Sequence, residues 1–132
     1  MRFLLDTHFA LWVTINSSRI SVEVSVEART ILLNPGNELV FSVSSIWEIA
    51  IKKGLGRPDF PYDPREIRRQ LMMNGHEELT IESRHVVLVD SMPLIHKNPF
   101  DRILISEAMV EGITLLTADP VIAKYPGLIR KV

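Results

Sequence analysis

The sequence lacks cysteine, an excess of charge of either sign, and any long hydrophobic run. The absence of cysteine excludes disulfides and thiolate metal sites, and it is typical of a cytoplasmic protein. No apolar stretch approaches the ~20 residues of a membrane span, so we expect no membrane association. The apolar N-terminal stretch carries one arginine and ends at Asp6, which is too short for a signal peptide.

The formal net charge is only −1, which excludes a uniformly cationic nucleic-acid-binding protein. Any contact with RNA or DNA must therefore come from a local basic patch. Of the 132 residues, 46% are hydrophobic and 23% are charged, as in ordinary globular proteins. A chain of this length can bury about two-thirds of its unfolded surface. We therefore expect one folded domain over residues 1–132.

Short apolar stretches alternate along the chain with longer helical patterns. Phe3-Leu4-Leu5, Leu39-Val40-Phe41 and Ile113-Thr114-Leu115-Leu116-Thr117 are typical of buried strands. Alternation of strands and helices predicts an α/β fold in which helices cover both faces of a parallel sheet. Further short strands are predicted at 79–81 and 128–129.

Several residues mark the ends of the predicted helices. Ser21 is a candidate cap for a helix that ends near Asn34-Pro35-Gly36. Ser44-Ser45 is expected to open the next helix, with Ile46, Ile49 and Ala50 facing inward. Asn98-Pro99 is expected to begin a helix that ends at Gly112.

Residues 86–89 are ambiguous. The sequence Val86-Val87-Leu88-Val89 favours a strand by propensity, but it fits a buried helical turn equally well.

Four acids lie where a strand gives way to a helix or where a helix begins: Asp6, Glu48, Asp101 and Asp119. Each has a purely structural explanation. Asp6 and Asp119 can cap helices, and Glu48 can form a capping box with Ser45. Asp101 lies in a first helical turn, where a negative charge interacts favourably with the helix dipole. Taken singly, capping is the simpler reading for all but Asp6.

Together the four acids indicate a metal site. In right-handed β-α-β units, the carboxyl ends of the strands and the starts of the helices share one edge of the sheet. Two carboxylates at about 4 Å repel by roughly 1 kcal/mol in water and ~4 kcal/mol at an effective dielectric constant of about 20. Oxygen ligands without cysteine suit Mg²⁺ or Mn²⁺. Such an ion activates water and stabilises charge on a phosphoryl oxygen, so we expect hydrolysis of a phosphodiester.

Basic residues near these acids are candidates for binding substrate phosphates. Lys52, Lys53 and Arg57 follow Glu48 closely, although such groups are usually solvated helix faces. Arg102 is expected at the same edge, bound to a substrate phosphate or to one of the acids.

None of the four histidines is predicted to be a metal ligand, because their spacing is wide. His85 is expected to pack in the core, and His96 to orient the loop before Asp101.

Four motifs, in this order along the chain, resemble those of the PIN domain, and in particular the VapC-type toxins of bacterial and archaeal toxin–antitoxin pairs. The resemblance extends from residue 3 to about residue 126. The motifs are Leu4-Leu5-Asp6-Thr7-His8, Ser45-Ile46-Trp47-Glu48-Ile49-Ala50-Ile51-Lys52, Pro99-Phe100-Asp101-Arg102-Ile103-Leu104-Ile105 and Thr117-Ala118-Asp119.

The resemblance implies a three-layer α/β/α sandwich around a parallel sheet, a homodimer, and endoribonuclease activity that depends on Mg²⁺ or Mn²⁺. It also implies a cognate antitoxin that covers the acidic site. It makes residues 86–89 part of a helix. The four acids match the acidic residues of the family, which hold the metal and act in catalysis. Thr7, Thr117 and Arg102 match its supporting residues.

Two positions depart from the family pattern. Asn98 stands where many relatives have an aspartate, and Ile122 where some have a further acid, so the number of bound metal ions stays open. Two other functions are compatible with part of this pattern. A non-catalytic PIN domain would bind RNA or a protein without cleaving. A phosphatase with Asp6 as nucleophile usually needs a second aspartate two positions on, where this chain has His8.

Overall fold

A computed structural model describes residues 1–14, 24–58 and 60–132 of the chain. Within these ranges, five strands form one sheet and are all parallel to their neighbours. The strands are β1 (Arg2–Leu5), β2 (Glu38–Ser42), β3 (Glu77–Leu79), β4 (Thr114–Thr117) and β5 (Ile129–Lys131). The helices are α1 (Thr7–Thr14), α2 (Val26–Leu33), α3 (Val43–Gly54), α4 (Pro64–Met73), α5 (Ser83–Val89) and α6 (Pro99–Glu111), and a 3₁₀ turn spans Ile122–Lys124.

The strand order β3-β2-β1-β4-β5 places β1 in the middle of the sheet. Phe3 pairs with Leu39 of β2 on one side, and Leu4 pairs with Leu115 of β4 on the other. Because all strands are parallel, their carboxyl ends lie along one edge, as the alternating pattern predicted. None of the helices in the described ranges is long and apolar enough to cross a membrane.

Alternate side chains of β1 enter two separate hydrophobic cores. Phe3 and Leu5 pack in the core covered by α1, α2, α3 and α4, whereas Leu4 packs on the other face against Leu104 and Ile105 of α6. This alternation is the consequence of the two-residue period of a strand. The result is the predicted three-layer α/β/α sandwich around a parallel sheet.

Helix α3 begins earlier than the sequence indicated. Ser42, the last residue of β2, is its cap, and the Ser44 backbone N–H donates to Ser42 Oγ at 2.9 Å. Ser45 is buried inside the helix, so the predicted capping box with Glu48 is wrong. Ile49 faces the core as predicted, but Ala50 is exposed.

Two other helix starts can be compared with the sequence. Asn98 caps α6 as predicted: its side chain accepts from the Phe100 N–H at 2.9 Å, and Gly112 ends the helix with φ 66°. Helix α2 is capped by Ser25, which accepts from the Ala28 N–H at 3.0 Å. The candidate cap Ser21 lies outside the described residues.

Residues 86–89 are helical, as the family resemblance implied and propensity left open. The reason is tertiary: α5 packs along α6, and His85 is fully buried between them. The His85 Nδ1 accepts from the Glu82 N–H at 2.9 Å, which leaves its Nε2–H to face Glu111 Oε1 at 3.3 Å. Ser106 of α6 donates to the His85 carbonyl. The predicted packing role of His85 is confirmed.

One buried carboxyl group of the described residues is not among the four sequence-predicted acids. Glu107 of α6 is fully buried, and Ser42 Oγ donates to its Oε1 at 2.5 Å. Its Oε2 has no hydrogen-bond partner. Burial raises the pKa of Glu107 to about 7, against the lowering effect of the Ser42 hydrogen bond.

Candidate metal centre

A cavity of about 230 Å³ opens at the carboxyl edge of the sheet. All four sequence-predicted acids line it: Asp6 after β1, Glu48 on α3, Asp101 on α6 and Asp119 after β4. The structure therefore brings together side chains that are up to 113 residues apart in the chain.

Asp6 combines a structural role with its place in the cavity. Its Oδ1 accepts from the Phe9 backbone N–H at 2.9 Å, which caps α1, and its Oδ2 accepts from Thr117 Oγ1 at 2.7 Å. Burial raises the pKa of Asp6, and these two hydrogen bonds oppose that effect. Capping and membership of the acidic cluster are therefore not alternatives for this residue.

The two predicted supporting threonines have different contacts. Thr117 Oγ1 donates to Asp6 and accepts the Asp119 N–H at 3.0 Å, so it joins the two acids at the ends of β1 and β4. Thr7 Oγ1 donates to Ser45 Oγ at 3.0 Å and thereby connects α1 to α3. Both hydroxyls are buried, and only Thr117 touches an acid directly.

We expect Thr117→Val to weaken both the fold and the metal centre. The valine fills the same volume but can neither donate to Asp6 nor accept from Asp119, at a cost of about 1 kcal/mol in the free energy of unfolding. Loss of a hydrogen bond that orients a metal ligand lowers metal affinity by about 10- to 100-fold. Urea denaturation and Mn²⁺ titration calorimetry measure the two effects. Thr114→Val, at the other end of β4, is the matched control, and an equal loss of affinity in that variant would contradict the assignment.

Glu48 is buried on α3 and has a cation beside it. Lys52, one helical turn later, places Nζ 3.3 Å from Glu48 Oε2 and 5.4 Å from the centre of the Phe60 ring. Asn98 Nδ2 lies 3.5 Å from the same carboxylate oxygen. Lys52 therefore brings one positive charge into the acidic cavity.

The other predicted basic residues lie elsewhere. Lys53 Nζ is 3.4 Å from Asp63 at the start of α4, and Arg57 is exposed. Neither lines the cavity formed by the described residues. Arg102 donates through Nη2 to the Val89 carbonyl at 3.0 Å, at the end of α5. The sequence predicted that Arg102 would bind a phosphate or one of the acids. Its observed partner is instead a backbone carbonyl, which lies just before the loop 90–98.

The pKa of Asp101 is raised by its surroundings in the cavity. Burial raises its pKa to about 6, and repulsion from Glu48 and then from Asp6 adds to the increase. A carboxylate in this position is ionised more readily when a cation lies beside it.

His96 is the residue that sequence reasoning missed at this site. Its Nε2 lies 2.8 Å from Asp101 Oδ2 and 3.7 Å from Asp119 Oδ2. The expectation was only that it would orient the loop. No local pattern reveals the contact, because the loop is placed by Tyr125, whose Oη accepts the N–H groups of Ile95 and His96 at 3.1 and 2.7 Å.

The donor set fits a divalent cation. One ligand atom each from His96, Asp101 and Asp119 lies within 4.8 Å of the others, and Asp6 and Glu48 line the same cavity. Hard carboxylate oxygens are the ligands preferred by Mg²⁺ and Mn²⁺. Burial and the neighbouring carboxylates of Glu48 and Asp6 raise the pKa of Asp101, as expected of an acid that is buried among other acids.

The sequence matches the family model of the PIN domain over residues 3–128. The chain therefore belongs to the PIN domain family. No curated protein sequence matches it.

Solved structures share the fold at low sequence identity. VapBC2 from Rickettsia felis, solved bound to a DNA fragment from its promoter, is 14% identical with a TM-score of 0.64, over 99% of this chain and 98% of that one. VapBC-1 from nontypeable Haemophilus influenzae is 16% identical with a TM-score of 0.56, over 99% and 98% of the two chains. A domain of a functionally unknown protein from Methanocaldococcus jannaschii is 12% identical with a TM-score of 0.56, over 99% and 91%.

Proposed function

We propose that this chain is a metal-dependent endoribonuclease that hydrolyses RNA phosphodiester bonds and acts as the toxin of a toxin–antitoxin pair. The observation that carries the proposal is the convergence of Asp6, Glu48, Asp101 and Asp119 in one cavity of a PIN fold. These carboxylates would hold Mg²⁺ or Mn²⁺. A divalent ion in such a site lowers the pKa of bound water and stabilises negative charge on a phosphoryl oxygen.

The protein's own residues would orient the reactants. Thr117 fixes Asp6 and Asp119 relative to each other, and the capping bond to Phe9 fixes the second oxygen of Asp6. Lys52 is the cation placed to contact a substrate phosphate, because its ammonium group already lies in the cavity. A nonbridging phosphate oxygen would compete with Glu48 for this group.

Lys53 and Arg57 are proposed as weaker, outer phosphate contacts. Both are exposed on or just after α3, the helix that carries Glu48 and Lys52 into the cavity. Their contribution would be electrostatic attraction of the RNA backbone, which depends on salt concentration.

The test of this function is cleavage of a defined single-stranded RNA by the purified chain. We expect cleavage with Mn²⁺ or Mg²⁺, no cleavage in EDTA, and recovery when excess metal is restored. Cleavage that is unaffected by EDTA would contradict the carboxylate–metal mechanism. RNA binding without cleavage, in protein shown to bind metal, would instead identify a non-catalytic PIN domain.

Two protein partners are part of the proposal. The VapBC complexes among the structural neighbours support a cognate antitoxin, which would act in the cytoplasm by covering the acidic cavity. A homodimer is supported by an exposed apolar stripe along α3 and its C-cap: Trp47 and Ile51 of the helix and the capping residue Leu55 are 52%, 47% and 69% exposed, at a spacing of four residues.

A further inference from the structure

The ring of His96 lies where two carboxylates of the cavity meet. Its Nε2 is buried, with Asp101 Oδ2 at 2.8 Å and Asp119 Oδ2 at 3.7 Å, yet it makes no directed hydrogen bond. A buried polar atom without a hydrogen bond is unusual and costs free energy. A ring nitrogen this close to two carboxylate oxygens is instead the arrangement expected of three groups that bind one metal ion.

The position of this ring is built into the fold. The backbone N–H groups of Ile95 and His96 both donate to Tyr125 Oη, and the Tyr125 ring is buried in the core beneath α6. Arg102 holds the Val89 carbonyl, just before the loop that carries His96. A loop held at both ends keeps its side chain in place before any ligand binds.

The chemistry of the three donors distinguishes between metals. Mg²⁺ is held through oxygen ligands and retains much of its water, whereas imidazole nitrogen favours first-row transition ions. We propose that His96 Nε2 is a ligand of the divalent ion, beside Asp101 and Asp119, and that it makes the site prefer Mn²⁺ to Mg²⁺. This inference rests on the metal centre of the proposed function and adds to it a nitrogen ligand and a metal preference.

Mn²⁺ is the probe for the test because it is paramagnetic. Pulsed electron paramagnetic resonance of the untagged protein with one equivalent of Mn²⁺ detects ¹⁴N bound to the ion, and ¹⁵N-histidine labelling identifies the nitrogen as imidazole. We expect nitrogen coupling in the wild type and its loss in His96→Gln. His8→Gln is the matched control, because His8 lines the same cavity but should not be a ligand.

The same variants test the metal preference. We expect His96→Gln to lower Mn²⁺ affinity by about tenfold or more, with a smaller change for Mg²⁺ measured by competition. In Tyr125→Phe the hydroxyl that holds the loop is missing, so nitrogen coupling should weaken while the fold is retained. His76→Gln, far from the cavity, should change neither quantity.

Three results would overturn the inference: no binding of Mn²⁺, bound Mn²⁺ without nitrogen coupling, or coupling that persists in His96→Gln. The last two leave the proposed ribonuclease intact if RNA is still cleaved. Conversely, imidazole-coupled Mn²⁺ in a protein that cleaves no RNA would contradict the proposed function and leave the assignment of His96 standing.

Discussion

Asp101→Asn should lose RNA cleavage while the protein without metal becomes more stable. The substitution removes a negative charge from the proposed metal site, and a metal centre supplies several kcal/mol of charge stabilisation in the transition state. Because each 1.36 kcal/mol is a factor of ten, we expect the single-turnover rate to fall by at least about a thousandfold. Measurement requires saturating Mn²⁺, so that the rate rather than occupancy is compared.

The gain in stability follows from the raised pKa of Asp101, about 6 in the folded protein. The folded state binds this proton more tightly than the unfolded state, so wild-type stability falls as pH rises through roughly 4 to 6. Asparagine is neutral and avoids this loss, which is about 1 to 2 kcal/mol at pH 7.5 for a side chain that is 14% exposed. Urea denaturation in EDTA should show the difference at pH 7.5 and little of it at pH 4.

Asp90→Asn is the matched control for this experiment, because Asp90 is exposed after α5. It should cleave RNA and unfold like the wild type. A stable, metal-binding Asp101→Asn protein that still cleaves at the wild-type rate would show that Asp101 is not part of the reaction.

Glu107→Gln should stabilise the protein at neutral and alkaline pH. The glutamine carbonyl can accept the Ser42 hydroxyl as Glu107 Oε1 does, but it carries no charge to be buried. The pKa of Glu107 is raised to about 7, so its destabilising effect grows as pH rises from about 4.5 to 7 and is complete above that. We expect a gain of about 2 kcal/mol at pH 8 and almost none at pH 4.5.

Chemical denaturation of both proteins across this pH range measures the gain. Glu38→Gln, on a side chain that is 76% exposed, serves as the control and should change stability by only a few tenths of a kcal/mol. A Glu107→Gln variant that is less stable than the wild type at pH 8 would mean that the ionised carboxylate is required, for example by a group that pairs with Oε2.

The sequence predicts those features of this fold that depend on local patterns and general topology. Three short apolar runs were enough to predict the central strands. The residues Asn98-Pro99 and Gly112 were enough to predict where α6 begins and ends. The rules of parallel sheets then direct Asp6, Glu48, Asp101 and Asp119 to one edge without knowledge of any contact. The strand propensity of residues 86–89 did not decide their structure, because packing of α5 against α6 overrides it.

The features that could not be predicted depend on contacts between distant side chains. The cap of α3 moved to Ser42 because the strand runs directly into the helix, with no separate turn. His96 lies at the cavity because its backbone N–H donates to the hydroxyl of Tyr125, which is 29 residues away in the chain. Lys52 and Lys53 are adjacent in sequence, yet only Lys52 points into the cavity, because successive residues of a helix face different directions.

The central position of β1 has a consequence for the newly synthesised chain. Of the five strands, β1 is synthesised first. Its neighbour β4 follows more than a hundred residues later, and the hydrogen bond between Asp6 and Thr117 joins residues that are equally far apart in the chain. Contacts of such long range are slow to form and cannot form on a partial chain. The acidic cavity therefore cannot be assembled on a nascent chain before β4 and Asp119 have been synthesised. The proposed ribonuclease would therefore be inactive in a nascent chain that has not yet been extended to residue 119.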